Sequence, residues 1–453
     1  MTLKLDIDSP LMQADFTFGV ATAAFQIEGA NTAEGRCESI WDKFCQQPGK
    51  VVNADDGAVA CDHFHLWRED IDLIESLGVD AYRLSIAWPR IINPIDGSIN
   101  AKGLAFYDNI INELNARNIK VFVTLYHWDL PQYLEDNGGW LNRDTVQAFV
   151  DYAEVISAHF KERIYSYCTF NEPWCSAYLG YQYAVHAPGK KSRKMGLQAA
   201  HHLLLAHGLA VPVIRRHCAE AQVGIVLNFT PGDSASNSPA DLQATQIYND
   251  YNSHWFIQPL MQGSYPSSIE QLYAEDLPVI EAGDLDQINV DIDYLGINFY
   301  TRAVVAAPDS NADELFQLVP QTDVEHTDIG WEVRPTALYT LLTELNRIYS
   351  LPPIYITENG AACDDHLLDG QVDDQQRCDY LQQHLLAVER AVREGVTIKG
   401  YFAWSLMDNF EWAEGYSKRF GIVYVDYQSQ QRTLKKSAHN YRKLLNSRSF
   451  INR

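Results

Sequence analysis

The chain has 453 residues, of which 46% are hydrophobic and 12% aromatic, and its formal net charge is −24. A surface this acidic repels nucleic acid and anionic membranes, so neither is expected as a partner. No stretch reaches the roughly 18 to 20 apolar residues that are needed to cross a bilayer. The first residues also lack a basic segment followed by an apolar run, so we expect no secretory signal and a cytoplasmic location.

Cysteine and histidine spacing gives no sign of a metal site or of a disulfide framework. The eight cysteines include no CxxC pair, which favours reduced, mostly buried thiols. His63 and His65, like the adjacent His201 and His202, lie in helix-like segments without a converging carboxylate motif. We therefore expect no metal ion and no cofactor. The cysteines are Cys37, Cys45, Cys61, Cys168, Cys175, Cys218, Cys363 and Cys378.

Apolar runs of strand length alternate with helical patterns from one end of the chain to the other. In the segment His63–Leu77 apolar residues recur at spacings of three and four, and Gly78 is predicted to end this helix. Asn142 is placed to cap the third helix, and Pro335 stands in the first turn of a later one. Further helical patterns span Leu104–Leu114, Arg334–Tyr349, Gln375–Arg393 and Lys435–Leu445. The predicted strands are Phe16–Gln26, Ala81–Trp88, Lys120–Trp128, Tyr165–Glu172, Val223–Phe229, Asp293–Tyr300, Pro353–Glu358 and Ile398–Ser405.

This alternation indicates an α/β protein with a parallel sheet that is covered on both faces. Eight strand–helix units favour closure into a (β/α)8 TIM barrel over an open doubly wound sheet. The segment Ala24–Gly29 does not read GxGxxG, which counts against a dinucleotide-binding fold. The polar segments Thr230–Pro239 and Thr301–Gly330 are predicted to be long βα loops. No linker or low-complexity segment divides the chain, so residues 1–453 are predicted to form a single domain.

The carboxyl ends of the predicted strands carry carboxylates, amides and aromatic residues, without a thiol–histidine pair. In barrel enzymes the catalytic side chains gather at these ends, and glycoside hydrolysis needs two carboxyl groups that flank the bond. Glu172 and Glu358 end two apolar strands, where a lone carboxylate is costly unless it is paired or functional. Either one alone could be a helix cap or an ion-pair partner, but two together favour catalysis. The strand-end residues are Gln26, Arg83, His127, Trp128, Asn171, Glu172, Asn298, Tyr300, Glu358, Asn359 and Trp404, followed by Glu411 and Trp412.

These residues stand in motifs that resemble those of glycoside hydrolase family 1. Residues 169–173, Thr-Phe-Asn-Glu-Pro, resemble the acid/base signature, and residues 356–360, Ile-Thr-Glu-Asn-Gly, resemble the nucleophile signature. Similar blocks follow the family's order at residues 18–22, 26–29, 82–88, 124–131, 186–189, 295–300 and 404–412. The resemblance covers nearly the whole chain. It implies a retaining β-glycosidase similar to the family's β-glucosidases.

The resemblance also implies roles for individual residues. Glu172 would protonate the glycosidic oxygen and later deprotonate water, and Glu358 would form a covalent glycosyl-enzyme. Arg83 and Tyr300 would orient Glu358 and keep it ionised. Trp331 would be the platform for the leaving group, although loop packing also explains it, and the turn beside His186 explains that residue almost as well. Substrate-binding roles are implied for Gln26, His127, Trp128, Asn171, Asn298, Trp331, Trp404, Glu411, Trp412 and Phe420.

Small β-glucosides or short β-linked oligosaccharides are the implied substrates. Hydrolysis would release terminal non-reducing β-D-glucosyl residues, activity on β-galactosides or β-fucosides is also expected, and transglycosylation is chemically permitted. A 6-phospho-β-glucosidase would replace Glu411 and Trp412, whereas a plant thioglucosidase would usually lack Glu172. A non-catalytic sugar-binding relative typically loses one of the two glutamates, Glu172 or Glu358, and both are present here. The preferred leaving group and the formation of homo-oligomers are left open.

Overall fold

Eight parallel strands form a closed barrel in the computed structural model, which describes residues 3–309 and 315–448. The strands are β1 (Thr17–Ala21), β2 (Ala81–Ser85), β3 (Lys120–Tyr126), β4 (Ser166–Asn171), β5 (Gln222–Phe229), β6 (Tyr294–Phe299), β7 (Ile354–Asn359) and β8 (Ile398–Trp404). Each strand pairs with its neighbours in chain order, and β8 pairs with β1 to close the barrel. The predicted (β/α)8 barrel is therefore confirmed.

Helices surround the barrel and bury their apolar faces against it. The main helices are α1 (His63–Leu77), α2 (Ala101–Ala116), α3 (Arg143–Phe160), α4 (Arg193–His217), α5 (Pro239–Asn249), α6 (Trp255–Gln262), α7 (Pro335–Ile348), α8 (Gln375–Arg393) and α9 (Lys436–Arg448). Shorter helices span Ala24–Ile27, Ile40–Cys45, Trp88–Ile91, Gln132–Asp136, Ser267–Leu272 and Asp284–Ile288. Because parallel strands need crossover connections, these helices follow from the barrel topology.

The local signals at helix ends act as the sequence predicts. The Asn142 side chain accepts a hydrogen bond from the backbone N–H of Asp144 and so caps α3. Gly78 ends α1 in the left-handed conformation with a φ of 73°, which costs glycine little because it has no Cβ. Pro335 is the first residue of α7, where its missing N–H is not needed.

Two predicted strands run three or more residues past the observed ends, whereas the others agree to within two residues at each end. The first was predicted over Phe16–Gln26, but β1 ends at Ala21 and Gln26 lies in the short helix Ala24–Ile27. The second was predicted over Ala81–Trp88, but β2 ends at Ser85 and Trp88 begins another short helix. Both predictions ran too far for the same reason. The apolar pattern continues past the end of each strand into the turn that follows it at the carboxyl end of the barrel.

Helix α4 is the longest helix and lies almost wholly inside the fold. By length and composition it could span a membrane, but 78% of its most apolar window is buried in the structure. His201 and His202 contribute to this packing, because His201 contacts Asp284 and Tyr265 at 3.0 and 2.9 Å. Packing within the protein therefore accounts for the apolar character of α4.

Aromatic side chains fill the lower part of the barrel interior. The rings of Phe122 and Phe402 lie 4.9 Å apart between centroids, and Phe122 also contacts Tyr355 at 5.4 Å. Tyr294 packs on Tyr355 at 5.4 Å. This layer makes the barrel a packed core rather than a pore, so a ligand is confined to the carboxyl ends of the strands.

The long loops form small sheets above the barrel. Gly232–Ser234 and Ala303–Ala306 pair in parallel, and Gln317–Leu318 pairs antiparallel with the second of these strands. Val423–Val425 and Arg432–Leu434 form a separate antiparallel pair. The predicted loop Thr301–Gly330 thus contains regular structure, and its residues 310–314 lie outside the described residues.

Cysteines and histidines are accounted for by packing and hydrogen bonding. All eight cysteines are free thiols, and Cys37 alone among them is not fully buried. His63 contacts Asp70 at 2.7 Å, and His65 contacts Asp62 at 2.5 Å. Across residues 3–309 and 315–448, no group of three or more His, Cys, Asp or Glu residues is arranged to hold a metal ion.

Candidate active site

A cavity of about 730 Å³ opens at the carboxyl ends of the barrel strands. It brings together most of the residues that the sequence singles out, from strands far apart in the chain. Three of the predicted residues are buried and are not in its lining: Gln26, Arg83 and Asn171. The predicted residues that line the cavity are His127, Trp128, Glu172, His186, Asn298, Tyr300, Trp331, Glu358, Trp404, Glu411, Trp412 and Phe420.

Glu358 is held at the end of β7 by two donors. The guanidinium of Arg83 donates from Nη1 to Glu358 Oε1 at 2.6 Å, and the hydroxyl of Tyr300 donates to Oε2 at 2.7 Å. Burial raises the pKa of Glu358, and the Arg83 cation and the Tyr300 hydroxyl oppose that increase. Because both donors favour the charged form, Glu358 is built to carry the negative charge of the site.

Glu172 follows β4 and forms no salt bridge with a cation in the described part of the chain. Asn298 Nδ2 donates to its Oε1 at 2.5 Å, and Cys175 Sγ donates to its Oε2 at 3.0 Å. Burial, together with the negative charge of Glu358, raises the pKa of Glu172 to about 7. The two carboxyl groups therefore stand in different environments, because Glu358 has a cation beside it and the environment of Glu172 favours the protonated form.

Two asparagines connect these carboxyl groups. The Oδ1 of Asn171 accepts from Arg83 Nη2 at 2.7 Å and from Asn298 Nδ2 at 3.0 Å. The Oδ1 of Asn298 accepts from the Thr357 hydroxyl at 2.7 Å. Both ends of the Asn298 amide are thus occupied, so this residue holds Glu172 in place and has little remaining capacity for a sugar.

His127 presents a free donor to the site. Its Nε2 lies 3.1 Å from Asn171 Nδ2. Since Asn171 Nδ2 is a donor, Nε2 must be the acceptor and the neutral ring carries its proton on Nδ1. Burial, and to a lesser degree the charge of Arg83, lowers the pKa of His127 far below its usual range. The buried Nδ1 has no partner among the described residues and can donate to a bound hydroxyl.

Gln26 and Glu411 offer acceptors on the same side of the site. Gln26 Nε2 donates to Asn409 Oδ1 at 3.0 Å and to the carbonyl of Phe410 at 2.9 Å, so the amide faces the loop that carries Glu411. Gln26 Oε1 and Glu411 Oε2 are buried without partners in the described part of the chain. Burial, followed by the charges of Glu358 and Glu172, raises the pKa of Glu411 to about 8. Such groups without protein partners can bind the hydroxyls of a polar ligand.

Aromatic rings form two walls. On one side Trp412 contacts Trp128 and Trp41, with centroids 4.4 and 4.7 Å apart. On the other side Trp331 lies 5.3 Å from Tyr300 and 5.9 Å from Phe420. Flat apolar walls with hydrogen-bonding groups between them are suited to ring-shaped ligands that carry hydroxyl groups.

Three residues of the cavity have left-handed backbone conformations that are rare for side chains with a Cβ. The φ angles are 77° for Trp128, 50° for Glu172 and 50° for Trp412. Such conformations cost on the order of 1–3 kcal/mol each and persist where surrounding contacts enforce them. One such contact is the indole N–H of Trp128, which donates to the carbonyl of Asn171 at 2.9 Å.

Some residues of the site are absent from the sequence-based prediction. Cys175 lies three positions after Glu172, a spacing that brings side chains together only where the chain turns as a helix, and no helix was predicted there. Asn228 lines the cavity from the end of β5. Asn228 could have been predicted from its position near the end of the predicted strand Val223–Phe229, because the other strands also carry site residues at their carboxyl ends.

The comparison with known proteins agrees with this geometry. The sequence pattern of glycosyl hydrolase family 1 matches residues 9–450. The chain belongs to glycosyl hydrolase family 1. A β-glucosidase of Agrobacterium sp. is 48% identical, with 94% of each chain covered. A bifunctional β-D-glucosidase/β-D-fucosidase of Bifidobacterium breve is 43% identical, with 95% of this chain and 97% of the relative covered.

Solved structures of family 1 share the whole fold. A Thermotoga maritima family 1 glycoside hydrolase, complexed with a cyclophellitol analogue that mimics a transition state, superimposes with a TM-score of 0.94. It is 44% identical, and 96% of this chain and 98% of that chain are covered. This family 1 chain is therefore a glycoside hydrolase, and its cavity is the candidate active site.

Proposed function

We propose that this family 1 enzyme is a retaining β-glucosidase, with residues 1–453 acting as one catalytic domain. The observation that carries the proposal is the pair of buried carboxyl groups in one cavity, with a cation and a hydroxyl on Glu358 but only an amide and a thiol on Glu172. The named β-glucosidases among the relatives support the choice of glucosides.

In the first step the carboxylate of Glu358 attacks the anomeric carbon while the bond to the leaving oxygen breaks. Glu172 transfers its proton to that oxygen, so an alcohol leaves and a glycosyl ester of Glu358 remains. Arg83 holds the attacking carboxylate and balances its charge until the ester forms. The raised pKa of Glu172, caused by burial and by the charge of Glu358, makes the proton available near neutral pH.

In the second step the ester is hydrolysed. Esterification removes the charge of Glu358, so Glu172 becomes a better base than acid and takes a proton from water. The water oxygen attacks the anomeric carbon, and Glu358 leaves as a carboxylate. Two displacements at one carbon retain the β configuration. A sugar hydroxyl that replaces the water would give transglycosylation by the same route.

The sugar ring is assigned to the side of the cavity that carries the unpaired polar groups. His127 donates from Nδ1, while Gln26 Oε1 and Glu411 Oε2 accept from sugar hydroxyls. Trp404 and Trp412 supply the apolar faces of this subsite. β-Fucosides are proposed as further substrates, as the Bifidobacterium breve relative supports, and β-galactosides as well.

Product stereochemistry tests the proposal directly. Purified protein is mixed with nitrophenyl β-D-glucoside, without added metal or cofactor, and the anomeric protons are followed by NMR. The β anomer of glucose is expected first, with the α anomer appearing only by mutarotation. First release of the α anomer would contradict the retaining mechanism. No turnover of gluco, galacto or fuco substrates by folded protein would favour a non-catalytic sugar-binding relative.

A 6-phospho-β-glucosidase is the alternative within the family. Glu411 lines the cavity and is half-buried, and a phosphate dianion there would meet the negative charge of Glu358 and, once Glu411 ionises, a second carboxylate. The enzyme is therefore expected to hydrolyse nitrophenyl β-D-glucoside and to leave its 6-phosphate unchanged. The reverse preference would replace the proposed substrate.

The pH dependence of kcat/KM follows from the protonation of Glu172. Burial and the charge of Glu358 raise the pKa of Glu172 to about 7. Glu172 is thus protonated and active as an acid below about pH 7, and kcat/KM is expected to fall tenfold per pH unit well above it. Initial rates on cellobiose, whose leaving alcohol needs the proton, measure this limb at low substrate concentration between pH 4 and 9. If kcat/KM begins to decline only near pH 9 or above, the proton comes from a group other than Glu172.

Cys175 is expected to set the position of the same limb. Its thiol donates to Glu172 Oε2 and so favours the charged carboxylate, which lowers the pKa of Glu172. Cys175→Ala removes the donor, so the alkaline limb of kcat/KM should move to higher pH. Cys175→Ser keeps a donor and should return the limb towards that of the unmodified enzyme. Identical pH profiles for all three proteins would show that the thiol only fills space.

A further inference from the structure

The Asn359 side chain ties together the carboxyl ends of three barrel strands. Asn359 ends β7 directly after Glu358 and is fully buried. Its Nδ2 donates to the carbonyl of Phe299, the last residue of β6, at 2.7 Å. Its Oδ1 accepts from the hydroxyl of Tyr401 on β8 at 2.7 Å. The residue next to Glu358 is therefore fixed through its side chain to both neighbouring strands.

The backbone ladder of β7 is irregular at the same level. Its register with β6 shifts between Ile356 and Glu358, and its register with β8 shifts between Ile356 and Asn359. Irregularities of this kind take residues out of the ladder and redirect side chains, and they are frequent beside active sites. Because the ladder is interrupted here, the hydrogen bonds of the Asn359 amide supply the attachment that regular backbone pairing does not.

The hydroxyl of Tyr380 joins this amide to the backbone of Tyr300. Tyr380 lies buried on α8, outside the barrel, and is not in the lining of the cavity. Its hydroxyl accepts from Asn359 Nδ2 at 3.1 Å and donates to the carbonyl of Tyr300 at 2.9 Å. Its ring stacks on His384 with the centroids 3.8 Å apart, so packing as well as hydrogen bonding fixes its place.

Tyr300 is thereby held at two points. Its hydroxyl donates to Glu358 Oε2 at 2.7 Å, and its carbonyl accepts from Tyr380. A hydrogen bond weakens steeply when the donor moves out of line, so the position of the Tyr300 backbone determines how well its hydroxyl reaches Glu358. The contacts close a ring through Glu358, Asn359, Tyr380 and Tyr300.

We propose that Tyr380 is a positioning residue for the nucleophile. Its hydroxyl holds the Tyr300 backbone at a fixed distance from Asn359, so that the Tyr300 hydroxyl stays on Glu358 while the carboxylate attacks. Tyr380 acts without touching the sugar or the leaving group, since it is not in the cavity lining. This inference rests on the proposed β-glucosidase function and adds a residue of the outer helix layer to the groups that support it.

The acid limb of kcat/KM reports the ionisation of Glu358, because the attack needs a carboxylate. The hydrogen bond from Tyr300 favours the charged form and lowers the pKa of Glu358. A weaker bond therefore moves the acid limb to higher pH. Among the groups around Glu358, Tyr300 alone is hydrogen-bonded to Tyr380 in the part of the chain that the structure describes. The titratable groups that face Glu358 are Arg83 on β2, Glu172 after β4, Tyr300 after β6 and Glu411 after β8.

The Tyr380→Phe variant removes the hydroxyl and keeps the ring. The substrate is nitrophenyl β-D-glucoside, whose leaving group needs little protonation, and kcat/KM is measured between pH 4 and 8. At neutral pH kcat/KM should fall about three- to tenfold, the effect of one lost hydrogen bond. The acid limb should move up by about half a pH unit. The inhibition constant of glucose should change less than about twofold, because the groups assigned to the sugar are unaltered.

Tyr441→Phe is the matched control. The Tyr441 hydroxyl donates to the carbonyl of Gly19 in β1 at 3.0 Å, and the residue is fully buried. The variant thus loses a bond of the same type away from Glu358, and its acid limb should match that of the unmodified enzyme. A second comparison uses Tyr300→Phe. With that hydroxyl gone, adding Tyr380→Phe should move the acid limb little further, because the two residues act through one hydrogen bond.

Three results would overturn the inference. One is an unchanged acid limb in Tyr380→Phe, and another is an equal shift in Tyr441→Phe. The third is a full additional shift when Tyr380→Phe is added to Tyr300→Phe. If Tyr380→Phe does not fold, Tyr401→Phe takes its place, because it releases the Asn359 amide and should move the acid limb in the same direction. If the unmodified enzyme hydrolyses no β-glucoside, the proposed function itself fails.

Discussion

Glu358→Ala is expected to abolish turnover of nitrophenyl β-D-glucoside, with kcat reduced about 10⁴- to 10⁶-fold. The substitution removes the atom that attacks the anomeric carbon, and no other carboxylate is held by Arg83 and Tyr300. Far-ultraviolet circular dichroism and the unfolding midpoint check that the variant folds. A folded variant that keeps a hundredth of the activity or more would remove Glu358 as the nucleophile.

The Glu172→Ala variant tests the second role by its dependence on the leaving group. Nitrophenolate departs with little protonation, so kcat/KM on nitrophenyl β-D-glucoside should fall less than about tenfold. On cellobiose, whose leaving alcohol must be protonated, the loss should reach about 10²- to 10⁴-fold. Glu172→Gln serves as an isosteric control. Equal losses on the two substrates would undo the assignment of acid and nucleophile.

Lys435→Met is expected to destabilise the fold by about 3–5 kcal/mol. The ammonium of Lys435 is fully buried and lies 2.6 Å from both Asp365 Oδ2 and Asp408 Oδ1. Arg377 pairs with Asp365, and Arg419 pairs with Asp408, in the same buried cluster. Asp374 also pairs with Arg377, so the cluster holds three cations and three carboxylates. Methionine fills the volume of the lysine but leaves one negative charge uncompensated away from water, which is the costly case for a buried ion pair.

The adjacent lysine is the matched control. Lys436 pairs with Asp373 at 2.8 Å, but the two side chains are 41% and 74% exposed. Lys436→Met should therefore change stability by no more than about 1 kcal/mol, because exposed pairs are screened by water. Urea unfolding of both variants, followed by tryptophan fluorescence, gives the comparison. Equal changes in the free energy of unfolding would mean that burial does not determine how much the Lys435 cluster contributes to stability.

The Lys435 cluster also bears on the site. Asp408 accepts from the backbone N–H of Gly421 at 3.0 Å, so it fastens the segment that presents Glu411 and Phe420 to the cavity. Weaker sugar binding is expected to accompany the loss of stability in Lys435→Met. A higher KM of Lys435→Met, measured at temperatures where this variant is fully folded, would demonstrate the weaker binding.

Local patterns were enough to predict the architecture. The strand and helix periods indicated eight units, and Asn142, Gly78 and Pro335 marked helix ends where the structure has them. Strand ends likewise indicated Glu172 and Glu358, because a carboxylate at the end of an apolar run can be recognised from the sequence alone. These features depend on residues that are near one another in the chain, so a single sequence contains them.

Ion pairs between side chains that are distant in the chain were decided only when the barrel closed. Arg83 reaches Glu358 across 275 positions, and Lys435 reaches Asp365 across 70. The same closure satisfied both ends of the Asn298 amide and left Asn228 open beside it. The sequence by itself determined which side chains stand at the strand ends. The tertiary structure decided which of these side chains hydrogen-bond to one another and which remain free to bind a ligand. The reason is that burial and distance between them exist only once the barrel has closed.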